Sequence, residues 1–95
     1  MTDRESEIYF YAFRYCLGRM THVVWNFCHE AKGKIGGITT RWLELMEAEI
    51  TEAERWDDKN PGQKFPRLGG ECDRADWLKF REVVRKELEK RKNAD

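Results

Sequence analysis

Between positions 11 and 25 the chain carries six side chains suited to holding an anion that also bears flat rings: Tyr11, Arg14, Tyr15, Arg19, His22 and Trp25. Tyrosine and tryptophan rings stack on planar bases, and arginine guanidinium groups meet phosphate oxygens two at a time. Arg14 and Arg19 would take phosphates, and Tyr11, Tyr15 and Trp25 would stack. His22 would donate a hydrogen bond with a charge that varies near neutral pH. Tyr11, Tyr15, Gly18, His22, Trp25 and His29 recur at intervals of four, three, four, three and four. That is the spacing of one line along a helix. Arg14 and Thr21 flank the line on one side, Arg19 and Asn26 on the other. An ordinary solvated face would be rich in Glu, Lys and Gln, yet no acidic residue occurs from Ile8 to His29.

Three uses of such a stripe stay open. It could be a second packing surface, with Gly18 admitting a neighbouring helix and a two-fold copy of the chain as the simplest partner. It could be a ligand surface for a nucleotide-like anion. It could be a hot-spot patch for a foreign protein, since Trp, Tyr and Arg dominate such sites. The readings overlap, because dimers often build pockets at their seam.

Other chemistry finds little support. His22 and His29 are seven apart, where single-helix zinc pairs sit at i,i+4. Cys16, Cys28 and Cys72 show no CxxC spacing, so the expectation is reduced, buried thiols, which are inert as nucleophiles. Lys32 to Gly37 is rich in glycine but lacks the GxxxxGK[ST] pattern and a preceding strand. It reads as a helix–helix turn with two solvated lysines. The basic stretch Arg81 to Lys92 alternates with Glu82, Glu87 and Glu89, as a solvated face does. No catalytic group, metal or cofactor is expected, and the chain reads as a binding protein rather than an enzyme.

The elements that must carry these residues follow from periodicity. The pattern predicts an all-α, three-helix domain over 1–95, with helices at about 6–31, 39–57 and 73–91 and a loop at 58–72. Thr2 and Glu5 have capping-box spacing and allow an earlier start. In the long first helix Phe13, Cys16, Leu17, Met20, Val24, Phe27, Cys28 and Ala31 form the core face. The second helix, capped at Thr39 with Ile38 and Leu43 as a staple, buries Trp42, Leu43, Met46, Ile50 and Ala53. In the loop Phe65 and Leu68 tuck under. The third helix begins at Asp73, with Cys72 and Trp77 at staple positions, and buries Trp77, Phe80, Val84 and Leu88. Glu82–Lys86 and Glu87–Arg91 are i,i+4 pairs on its wet side.

Composition narrows the classes further. The 95 residues hold 18 Lys+Arg and 18 Asp+Glu, for a net charge of zero. A bulk DNA binder would show a basic excess. The balance is local, because residues 38–60 hold three basic and seven acidic groups, and residues 61–95 hold ten and seven. Helices from those two regions would attract if packed together. No apolar run of about 18 residues spans a membrane, and no leader is recognisable, so a cytoplasmic protein is expected. A domain this small has a thin stability margin, which favours assembly as a homo-oligomer.

The segment Tyr11-Ala-Phe-Arg-Tyr-Cys-Leu-Gly-Arg-Met-Thr21 resembles a group of short phage and prophage proteins with a Y-A-x-R-Y-x-L-G-R-x-T segment near the start. Cys72-Asp-Arg-Ala-Asp-Trp-Leu78 resembles a second stretch of the same group. Together they cover about 20 of the 95 residues. The resemblance implies a viral origin, action in the host cytoplasm and a counter-defence role. Such a role means either sequestering a nucleotide signal or inhibiting a host defence complex, as anti-CRISPR proteins do. It carries no catalytic residues across, and it points to Tyr11, Arg14, Tyr15 and Arg19.

Overall fold

The structure, a computed structural model, describes residues 1–19 and 21–94, and the backbone alone of Thr21. Among the described residues it is all-helical. Helix α1 spans Asp3–Cys16, α2 Thr21–Ala31, α3 Thr40–Lys59 and α4 Glu71–Asn93, with a short 3-10 turn at Ile35–Gly37. Among the described residues no helix is long and apolar enough to cross a membrane.

The main departure from the predicted elements lies in the first helix. A single helix over 6–31 is replaced by two, because Cys16 to Arg19 forms a type II turn. Leu17 has φ −64° and ψ 124°, Gly18 has φ +78°, and the Arg19 N–H donates to the Cys16 carbonyl at 3.1 Å. A type II turn requires a positive φ at its third residue, which glycine supplies without steric cost. A Cβ at Gly18 would also stand 3.2 Å from the Arg67 carbonyl oxygen. Gly18 therefore makes a turn, not a close approach for a partner helix.

The two halves fold back on each other as a hairpin. In a continuous helix Tyr9 and Phe27 would lie about 27 Å apart, yet their ring centroids are 5.4 Å apart. Phe13 and Phe27 meet the α4 residues Trp77 and Phe80 at centroid distances of 5.4 to 6.2 Å. Phe13, Cys16, Val24, Cys28 and Ala31 are buried as expected, Leu17 and Phe27 are partly buried against them, and Met20 lies outside the described residues. Phe10 and Ser6 join the interior as well.

Helix α3 buries Trp42, Leu43, Met46, Ile50 and Ala53. Its start is held from α1 rather than by its own cap. The Thr39 side chain makes no capping bond; the Thr39 N–H donates to Ser6 Oγ at 3.0 Å, and Trp42 Nε1 donates to Asp3 Oδ1 at 3.1 Å. The capping box at Thr2 and Glu5 is formed, and it opens α1 at Asp3. Helix α4 starts at Glu71 behind Gly70, so Asp73 is a buried first-turn residue, not the cap, and Cys72 is exposed instead of acting as a staple. Trp77, Phe80 and Val84 are buried, with Leu88 partly so.

The acidic α3 and basic α4 attract as their charges predict. Arg81 meets Glu54 at 2.8 Å, Arg85 meets Glu47 at 2.7 Å, and Arg74 meets Asp58 at 3.1 Å. Glu87–Arg91 forms at 3.7 Å, but both side chains are largely covered. Arg91 also donates to the Ile35 and Gly36 carbonyls, tying α4 to the 3-10 turn. The loop between α3 and α4 is ordered by one carboxylate. Asp57 accepts from the Arg67 N–H at 2.8 Å, the Leu68 N–H at 3.0 Å and Gln63 Nε2 at 3.0 Å. Leu68 is buried, whereas Phe65 does not tuck under and is 78% exposed.

Candidate functional site

The hairpin distributes the six predicted residues over two helices. Tyr11, Arg14 and Tyr15 lie on α1, Arg19 in the turn, and His22 and Trp25 on α2. All six are exposed. On each helix they occupy the side opposite the buried residues, as their spacing predicts within each half. The single line from Tyr11 to His29 does not exist, because the turn at Gly18 interrupts the helical register.

Two contacts are made within this set. The Arg19 guanidinium carbon lies 4.5 Å from the centroid of the Tyr15 ring, and Arg19 Nε donates to the Tyr15 carbonyl at 2.9 Å. The backbone bond fixes the guanidinium plane over the ring, a cation–π arrangement. Beside it lies an open pocket of about 460 Å³ lined by Tyr15, Gly18, Arg19 and Val23. On α2, Trp25 stacks on His29 with centroids 5.0 Å apart and planes 4° apart. This pair lines a small cleft of about 50 Å³ with Cys28, Lys32, Asp76 and Lys79.

The electrostatics of the turn are simple. Among the described residues neither Arg14 nor Arg19 is part of an ion pair. The absence of acids from Ile8 to His29 is the local reason. Positive charge there remains available to an external anion, and an anion bridging guanidinium groups forms charge-assisted bonds stronger than neutral ones.

The thiols are unsuited to chemistry at this site. Burial pushes the Cys28 thiol up to about 12, with the Asp76 carboxylate adding to the shift, and burial raises Cys16 as well. Among the described residues no group of three His, Cys, Asp or Glu side chains could hold a metal ion.

Two features near the site escaped the sequence. Trp56 at the end of α3 carries the Arg67 guanidinium 4.6 Å from its ring centroid, and Phe65 stands in the open beside Lys64, whose ammonium is 5.6 Å from the ring. Their sequence signal was the Phe-Pro-Arg segment at 65–67 with basic residues on either side of the ring, which composition alone assigns to loop packing. Comparison with protein-family models, with curated proteins and with solved structures gives no match.

Proposed function

We propose that this chain is a small, non-enzymatic binding protein that holds an anionic, nucleotide-like ligand at the turn end of its hairpin. The observation that carries this reading is Arg19, stacked over Tyr15 on the rim of an open pocket with no acid to neutralise it. Arg14 and Arg19 take phosphate, and Tyr11 and Tyr15 offer ring faces, being 57% and 65% exposed. Trp25 and His22 serve from α2, on a face of their own. A second copy of the chain placed over this surface would close the open pocket, which gives self-association a role in the site. Acting in a host cytoplasm, such a protein would sequester a nucleotide signal, in keeping with the resemblance to short phage proteins.

Calorimetry against a panel of cyclic and linear nucleotides tests the reading. Wild type is expected to bind at least one, and Arg14→Ala and Arg19→Ala to weaken it at least about tenfold with an unchanged unfolding midpoint. Absence of heat across the panel would overturn it.

A second reading, a protein–protein inhibitor of a host defence complex, is favoured by one observation. Ile8, Tyr11 and Tyr15 form an exposed apolar row along α1, at the i, i+3, i+7 spacing by which helices anchor in grooves. A single host protein captured through this row, and lost with Tyr11→Ala, would support it.

A further inference from the structure

Phe65 breaks the usual rule for large apolar side chains. It is 78% exposed, yet its loop is rigidly held, because Asp57 accepts two backbone N–H groups and the Gln63 side chain from it. A ring presented on a fixed loop is a preorganised contact. Two residues on, the Arg67 guanidinium lies over the partly exposed Trp56 ring. This repeats the arrangement of Arg19 over Tyr15.

The two arrangements are neighbours. The Arg67 carbonyl oxygen approaches Gly18 so closely that a Cβ there would stand 3.2 Å from it, tighter than ordinary contact, and Gly18 adjoins Arg19 in the turn. Two of the nearby acids are engaged elsewhere. Asp57 is filled by the loop donors, and Asp58 pairs with Arg74. The turn and the loop therefore join into a strip of rings and cations: two ring–guanidinium pairs, Tyr15 with Arg19 and Trp56 with Arg67, and the exposed ring of Phe65 two residues before Arg67.

We propose that this strip binds single-stranded nucleic acid, with successive bases on the rings and phosphates on Arg19 and Arg67. The proposal rests on the reading that the turn takes a nucleotide-like anion, and it extends that ligand from one nucleotide to several. Ring faces beside guanidinium groups on one surface suit a strand whose bases are unstacked, whereas duplex DNA hides its ring faces. The net charge of zero fits a local strip better than a coating surface.

The test is fluorescence anisotropy with a labelled oligo-uridylate dodecamer, run beside calorimetry with AMP. Wild type is expected to bind the dodecamer at low salt more tightly than AMP. Phe65→Ala and Arg67→Ala should each weaken the dodecamer about tenfold while leaving AMP affinity and the unfolding midpoint unchanged. Arg67→Ala should also reduce the slope of log affinity against log salt by about 0.7, the loss of one phosphate contact. If AMP binds but the dodecamer binds no tighter, or if both variants match wild type, the strip is wrong and the turn site stands. If neither the dodecamer nor any nucleotide of the panel binds, the nucleotide reading falls and the strip with it.

Discussion

Arginine does opposite work in the two halves of the molecule. In the α3–α4 half, Arg74, Arg81 and Arg85 reach across to Glu54, Asp58 and Glu47, and these pairs set two long helices side by side. In the α1–α2 hairpin, Arg14 and Arg19 meet no acid among the described residues, and the rings beside them face outward. Charge that is matched within the chain fixes register and stabilises modestly. Charge left without an acidic partner beside exposed rings is available to a ligand. The contrast is what supports the proposed binding face on the hairpin and its adjoining loop, with the ion-paired helices as scaffold.

The hardest blow to the contrast is one that removes what the halves share. Trp77 on α4 packs against Phe13 of α1 and Phe27 of α2. Trp77→Ala should cost about 3–5 kcal/mol by leaving a cavity, and chemical denaturation should show both halves unfolding together. Gly18→Val strikes the hairpin turn and the loop seated against it. It places a β-branched residue at φ +78° and crowds the Arg67 carbonyl, for an expected loss of about 1–3 kcal/mol. Loss of ligand binding should accompany it, since the turn carries Arg19.

Glu54→Gln strikes the scaffold alone. The hydrogen bond from Arg81, with the Arg81 and Arg74 charges, holds the Glu54 carboxyl below its usual value of 4.5. A carboxyl depressed in the folded state stabilises above its unfolded value, and that contribution disappears as pH falls through the folded value. Wild type should therefore lose stability below about pH 4.5 more steeply than Glu54→Gln, while at pH 7 the variant is weaker by about 1–2 kcal/mol. Ligand binding should be unaffected. The smallest effect is kinetic. Cys72 is exposed, and Cys16 and Cys28 are buried with raised thiol values. A thiol reagent at pH 7.5 should label Cys72 quickly and the other two only on unfolding.

Much of the scaffold was legible in the sequence because it is written in local periodicity. The five residues predicted for the buried face of α3, Trp42, Leu43, Met46, Ile50 and Ala53, repeat at helical spacing and all five are buried, and the capping box at Thr2 and Glu5 is a local motif that formed. The opposite charges of the two later segments announced the α3–α4 seam. The hairpin was not legible, because a helical wheel places Gly18 on a face but cannot register that its backbone turns. That turn is seated against the carbonyl of Arg67, 49 positions away in the chain. The six candidate residues were found by type and are outward-facing, but their assumed alignment failed at the same glycine. Phe65 was misplaced for a related reason. Hydrophobicity argues for burial, while the fixed loop that presents it depends on Asp57, a carboxylate that looks like any other in an acidic helix end.

The most direct test is a nuclear magnetic resonance titration of the isotopically labelled protein with AMP, following every backbone amide. Shifts confined to the hairpin around Tyr11 to Trp25, with the α3–α4 seam unmoved, are the predicted result. Shifts centred on Glu47, Glu54 and Arg81, or none at saturating AMP, would contradict the division of the molecule into a matched scaffold and an unmatched binding face.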